Sequence, residues 1–189
     1  SNETGAGFLT IVAGSAVLGV QHQLIMDWKA IATFLWILAI LFWILILYAF
    51  FTFMITKAEK PPIHKVVNGS WLLITVSTQS LAVLGTSLIP SSELRPEIVL
   101  FITLSFFFLG VLFFVVFFTL IILRFLLASL PPKEFAPPYW VLMGSAAITA
   151  LAGAVITEKF NNTGLYPEFG SMVAGISVTA WAVASWLIP

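Results

Sequence analysis

Residues 98–123 read IVLFITLSFFFLGVLFFVVFFTLIIL and contain no Asp, Glu, Lys or Arg. A helix needs roughly 20 consecutive apolar residues to cross the hydrocarbon core of a bilayer, so this stretch is long enough to span it. A charge at the centre of a span costs about 2.5–3.5 kcal/mol on insertion scales, and this stretch incurs no such cost. The stretch therefore predicts a transmembrane helix.

The chain contains further charge-free stretches of similar length at residues 4–26, 30–56, 66–92, 135–157 and 169–189. Every charged residue lies outside these stretches, and prolines cluster in the gaps between them, where they favour helix ends. We predict helices over residues 7–26, 30–56, 68–89, 97–127, 138–157 and 168–188. The predicted fold class is all-α integral membrane, with residues 1–189 forming a single transmembrane domain.

The composition agrees with a membrane domain and excludes several functions. Hydrophobic residues make up 60% of the chain and charged residues 8%, against roughly 25% charged residues in soluble domains. The formal net charge is zero, so no nucleic-acid partner is indicated. The chain has no cysteine, which excludes disulfides and thiol chemistry.

The basic residues indicate an orientation. Lys57, Lys60 and Lys65 lie in one gap and Arg124 and Lys133 in another, whereas each remaining gap holds a single Lys or Arg. Positively charged residues favour the cytoplasmic ends of spans when loops are short. We therefore expect the loops near residues 60 and 130 to be cytoplasmic, and those near residues 28, 94 and 162 to be external.

The second and fourth predicted helices differ in composition from the first, third and fifth. Residues 30–56 and 98–123 are rich in Phe and Trp, while the odd helices carry Gly, Ala, Ser and Thr. Large apolar side chains can face lipid without cost, and small residues belong where helices pack closely. We expect hairpins in which the small-residue helices contact one another inside. The aromatic helices should lie outside, with their aromatic side chains toward lipid.

Polar and small residues follow one face of each inner helix at intervals of three or four. One interpretation is close packing, with the hydroxyls bonded to their own backbone. The other is a polar path through the membrane. Gln79 suits either, because its amide would be costly to leave unpaired and could bridge inner helices or line the path. The candidate pore-lining residues are Thr10, Gly14, Ser15, Thr75, Gln79, Ser145 and Thr149.

The sequence offers no catalytic or metal-binding constellation. The charge-free stretches lack the acid or lysine of a proton relay, and His22 and His64 are better explained as polar residues near the membrane surface. Without further ligands they form no metal site, and neither a phosphate-binding glycine loop nor a nucleophile elbow is present. We expect that the protein binds no cofactor and is not an enzyme. We expect instead that it forms a passive conduit for small solutes or ions. A non-transporting membrane scaffold or accessory subunit is the alternative.

Segments in the first, third and fifth predicted helices carry a resemblance to a known family. They are Gly7-Phe-Leu-Thr-Ile-Val-Ala-Gly14, then Asn68-Gly-Ser-Trp-Leu-Leu with Ser77-Thr-Gln-Ser-Leu-Ala-Val-Leu-Gly85, and Pro137-Pro-Tyr-Trp-Val-Leu-Met-Gly144 with Ala146-Ala-Ile-Thr-Ala-Leu-Ala-Gly153. They resemble the third, fifth and seventh helices of the tellurite-resistance/C4-dicarboxylate transporter family. That family includes bacterial homologues of the plant guard-cell slow anion channel, and the similarity covers most of the chain.

The resemblance implies a larger fold and a function. Members of the family have ten helices in five hairpins, with the odd helices around a central pore and often three subunits. This chain would match helices three to eight of such a quasi-five-fold bundle, so we expect either a fragment, which we favour, or a reduced relative of the family. The pore-occluding phenylalanine of the family lies on the ninth helix and has no counterpart here. The implied function is transport of small anions by a homo-oligomer, often a trimer, in a bacterial or archaeal plasma membrane.

Overall fold

The structure is a computed structural model that describes residues 4–59, 67–89, 95–127, 137–163 and 167–188. This part of the chain holds six helices that are long and apolar enough to cross a membrane, and it contains no β-strand. The predicted all-α integral membrane fold is therefore confirmed. The helices are α1 (Thr10–Met26), α2 (Lys29–Thr56), α3 (Leu73–Leu88), α4 (Pro96–Leu127), α5 (Val141–Thr163) and α6 (Pro167–Trp186).

The loops near residues 60, 94 and 130, whose sides of the membrane the sequence predicts, lie outside the described residues, as does His64. The hairpin of α1 and α2 is fully described. Asp27 has a φ of 52°, and the backbone N–H of Trp28 donates to the carbonyl of His22 at 3.1 Å. This left-handed residue ends α1 and lets the chain reverse before α2 begins at Lys29.

Short helical turns precede the inner helices. A turn at Thr4–Gly7 precedes α1, while 3₁₀ turns at Gly69–Leu72 and Pro137–Trp140 lead into α3 and α5. Asn68 caps the turn before α3, because its Oδ1 accepts hydrogen bonds from the backbone N–H of Ser70 at 2.9 Å and from the Ser70 hydroxyl. The Asn-Gly-Ser segment therefore fixes the point at which α3 enters the bundle.

Helix α5 is longer than predicted. The sequence placed its end at residue 157, before Glu158 and Lys159, but α5 continues to Thr163. A charged residue marks the edge of the hydrocarbon core without breaking a helix, so α5 can continue beyond the apolar stretch.

The helices form hairpins around a central α3. Helix α1 packs against α2, α3 against α4 and α5 against α6, while α3 also contacts α1, α2 and α5. The expected contacts of α3 with both other inner helices are confirmed. In the described residues α1 and α5 make no extensive contact with each other, because each packs on α3. The expected contact between these two helices therefore stays a prediction.

Helices α2 and α4 lie outside the inner helices, but only part of their aromatic side chains face outward. Phe34 and Phe101 are exposed, whereas Trp43 and Phe107 are buried. The Trp43 indole Nε1–H donates to Thr78 Oγ1 of α3 at 2.8 Å. The expectation that the outer aromatics face lipid is therefore wrong for the side of each outer helix that packs on α3. On that side, large rings fill the contact between helices.

Candidate transport path

One face of α3 keeps partial exposure on either side of the buried Ser80. Within α3, only Leu73, Val76, Val83 and Ser87 keep partial exposure, and Ser80 lies on the same face with 2% exposure. The intervals of three and four residues place these five side chains on one stripe. All other residues of α3 are buried against its neighbours. We call this stripe the open face of α3.

The open face of α3 points away from the outer helices. On the opposite side, Thr78 accepts a hydrogen bond from α2, and a β-carbon on Gly85 would lie 2.4 Å from Thr103 Oγ1 of α4. Beside the open face, Leu84 packs on α1, where a β-carbon on Gly19 would lie 2.6 Å from Leu84 Cδ2. Helices α1 and α5 both contact α3 and make no extensive contact with each other. We call the strip of α3 that they and the outer helices leave partly uncovered the groove.

Small residues alternate with large apolar ones, such as Ile11, Leu18 and Leu151, on the exposed side of the flanking helices. On α1, Thr10 and Gly14 are exposed, and Ser15 is partly exposed. The Thr10 hydroxyl donates to the carbonyl of Gly7 at 2.7 Å, and a β-carbon on Gly14 would meet nothing within 4 Å. On α5 the exposed residues within the apolar span are Gly144, Ala147, Leu151 and Ala154.

Thr75 and Gln79 lie on the buried side of α3. Gln79 is fully buried, and its Nε2 donates to the carbonyl of Phe107 in α4 at 3.3 Å. A β-carbon on Gly110 would lie 2.7 Å from the Gln79 amide, so this amide rests directly on the α4 backbone. Among the described residues, neither Thr75 Oγ1 nor Gln79 Oε1 has a hydrogen-bond partner. This arrangement joins α3 to α4.

Ser145 and Thr149 are buried in α5. Their hydroxyls donate to backbone carbonyls of α5, Ser145 to Leu142 at 2.9 Å and Thr149 to Ser145 at 2.8 Å. Thr149 also lines a cavity of about 450 Å³ between α4 and α6, together with residues that include Val111 and Gly175. Both hydroxyls are therefore satisfied within their own helix, and Thr149 faces this cavity.

The structure does not bring the seven candidate lining residues onto one surface. It places Thr10 and Gly14 together on the exposed side of α1, and Thr75 and Gln79 together on the buried side of α3. The open face of α3 was not among the candidates. Its residues follow the same three- and four-residue spacing, but three of them, Leu73, Val76 and Val83, are apolar. The polar stripe through Thr75 and Gln79 was therefore the one that the sequence predicted to line the path.

The groove is electrically neutral in the described part of the chain. The charged side chains described there lie at or near helix ends, outside the open face of α3. No group of three or more His, Cys, Asp or Glu among the described residues could hold a metal ion. Apolar side chains, chiefly Leu73, Val76 and Val83, and the hydroxyl of Ser87 thus define the chemistry of the open face of α3.

Comparison with known proteins points to a transport family. The sequence model of the SLAC1 family, described as "Voltage-dependent anion channel", matches residues 5–189. Uncharacterized membrane proteins from two strains of Mycobacterium tuberculosis are each 48% identical to this chain over 71 residues. The match covers 38% of this chain and 36% of the length of each relative. No solved structure matches the chain significantly.

Proposed function

Because this chain belongs to the family of voltage-dependent anion channels, we propose that it forms part of a passive path for small anions across a membrane. The observation that carries the proposal is the groove on the open face of α3. It runs along the most buried helix, it lies opposite the outer helices, and it carries no charged side chain among the described residues. A path of this kind admits an anion without trapping it at a fixed positive charge.

The Ser87 hydroxyl on the open face provides an exchangeable hydrogen-bond donor. Ser87 is partly exposed and its Oγ donates to the carbonyl of Leu84 at 2.7 Å, whereas Ser80, whose Oγ donates to the carbonyl of Val76 at 2.8 Å, is only 2% exposed. An anion in the groove can accept the Ser87 hydrogen in place of the carbonyl. The exchange replaces a neutral hydrogen bond with a charge-assisted one, which favours the ion moderately. Moderate binding suits conduction, because the ion must also leave.

The candidate lining residues divide into two roles in this proposal. Thr10, Gly14 and Ser15 of α1 line the groove together with the open face of α3, which their exposure supports. Thr75, Gln79, Ser145 and Thr149 instead hold the inner helices against their neighbours. Their burial supports this second role, and so does the hydrogen bond from Gln79 Nε2 to the carbonyl of Phe107 in α4.

The proposal extends to the complete protein. The match with the curated relatives covers 36% of their length. We propose that the path closes within a ring of five hairpins, as in the family that the sequence resembles. We propose a bacterial or archaeal plasma membrane, cytoplasmic loops near residues 60 and 130, and a trimer. The transported ions would be inorganic anions, tellurium oxyanions or C4-dicarboxylates.

Flux into liposomes tests the proposal on the protein at its full natural length. We expect passive chloride flux that Val83→Trp reduces, because the indole would fill the open face of α3, where Val83 is partly exposed. The matched control is Leu45→Trp, since Leu45 is 66% exposed on the outer helix α2. Folded protein without chloride, nitrate or malate flux would contradict the proposal.

A non-transporting scaffold or accessory subunit is the second candidate. It is favoured by the buried hydroxyls of α3, since Ser77, Thr78 and Thr86 donate to carbonyls of their own helix and serve packing. A scaffold would show no anion flux, and Val83→Trp would then have no flux to reduce. The flux measurement therefore separates the two candidates.

A further inference from the structure

We propose that Arg124 is a positioning residue that sets the width of the groove at the end where α3 and α5 begin. This inference rests on the proposed function, because it assigns Arg124 a role in the same path. Arg124 lies near the end of the outer helix α4 and is half-buried. Its side chain is directed into the bundle, toward the segments that lead into the two inner helices.

The guanidinium of Arg124 contacts both of these segments. Its Nη1 donates to the carbonyl of Val67, which directly precedes the Asn68 cap of the turn into α3. Its Cζ lies 5.7 Å from the ring centroid of Tyr139, in the turn that leads into α5. Phe125, the next residue of α4, also packs on Tyr139, with ring centroids 5.1 Å apart. One side chain of an outer helix thus joins the beginnings of two inner helices.

The contacts distinguish Arg124 from an arginine that merely reaches the membrane surface. A snorkelling arginine extends its charged end toward water and lipid headgroups. Here the guanidinium lies over the ring of Tyr139, which is only 7% exposed, and donates to the carbonyl of the buried residue Val67. A guanidinium can donate to a carbonyl from one nitrogen while its plane lies over an aromatic ring, whereas lysine must make both contacts from a single ammonium.

The separation of α3 and α5 at this end fixes where one wall of the groove stands relative to its floor, and so contributes to the width of the groove there. Helix α3 provides the floor of the groove and α5 one of its walls. A bond from Arg124 to the segment before α3, combined with a stacking contact on the segment before α5, holds the two at a fixed distance. Weakening either contact should let the two beginnings move relative to each other.

The test uses the full-length protein in liposomes and compares Arg124→Lys, Arg124→Gln and Tyr139→Leu with wild type. We expect each variant to raise the ratio of malate to chloride flux, because a looser end of the groove admits the larger ion more readily. Tyr139→Phe is the matched control, since it keeps the ring under Arg124 and should keep the wild-type ratio. If the Arg124 variants do not fold, the Tyr139 pair still decides the question.

An unchanged ratio in Arg124→Lys would show that charge alone suffices and would overturn the proposal. So would an unchanged ratio in Tyr139→Leu. A spin-label distance between Leu73 and Val141, at the beginnings of α3 and α5, gives a readout that does not depend on transport. We expect this distance distribution to broaden in Arg124→Lys. Absence of flux from wild type would contradict the proposed function, whereas an unchanged distance distribution would contradict this inference.

Discussion

The side-chain amide of Gln79 in α3 occupies the space that a side chain at Gly110 in α4 would need. A β-carbon built on Gly110 would lie 2.7 Å from both Cδ and Nε2 of Gln79. Separations this short do not occur between real β-carbons and their neighbours, so the amide fits because residue 110 is glycine. The charge-free stretch of α4 contains no other glycine.

Gly110→Ala should therefore destabilise the fold. The added methyl group must displace a fully buried amide that is bonded to Phe107, and overpacking of this kind typically costs about 1–3 kcal/mol. The matched control is Gly14→Ala, because nothing lies within 4 Å of a β-carbon there. Thermal unfolding in detergent should show a lower midpoint for Gly110→Ala than for Gly14→Ala. Equal midpoints would mean that the Gln79 amide does not occupy this site.

Gln79→Leu tests whether the amide has a direct role in the path. The substitution removes one long hydrogen bond, a net loss of about 0.5–1.5 kcal/mol, and also an unpaired buried oxygen that costs about 1–3 kcal/mol. We therefore expect a folded yield close to wild type. Relative permeability to chloride and nitrate should be unchanged, because the amide faces α4. A shift in relative permeability near tenfold would place the amide in contact with the ions.

The orientation can be tested by labelling from outside the cell. The chain contains no cysteine, so each single-cysteine variant carries one thiol. An impermeant reagent should reach Leu94→Cys and Asn162→Cys and should miss Lys60→Cys and Lys133→Cys, since basic loops favour the cytoplasm. Labelling of the second pair from outside would reverse the orientation.

The sequence predicts the number and type of helices because burial in a bilayer imposes a local requirement. A charge within a span is expensive wherever the span packs, so the charge-free stretches reveal the helices without any knowledge of their neighbours. The error at the end of α5 has the same origin. Glu158 and Lys159 mark the limit of the apolar core, while the helix follows backbone geometry to Thr163.

The sequence does not predict in the same way which side of each helix is buried, because burial depends on contacts between residues that are distant in the chain. Two stripes of α3 share the same helical spacing, one through Thr75 and Gln79 and one through Val76 and Val83. The first is buried because Gly110, far along the chain, leaves room for the Gln79 amide. Likewise, the sequence predicts that Trp43 faces lipid, but in the structure its indole N–H donates to Thr78 Oγ1 of α3.

The most direct measurement of the central claim is the reactivity of Val83→Cys toward a hydrophilic, impermeant thiol reagent in the full-length protein. A thiol on the open face of α3 should meet water, form thiolate and react, and the attached group should block chloride flux. Leu45→Cys, on the lipid-facing side of α2 at 66% exposure, should remain unreactive, because thiolate does not form in hydrocarbon. If Val83→Cys reacts no faster than Leu45→Cys, the open face of α3 does not line an aqueous path, and the account fails.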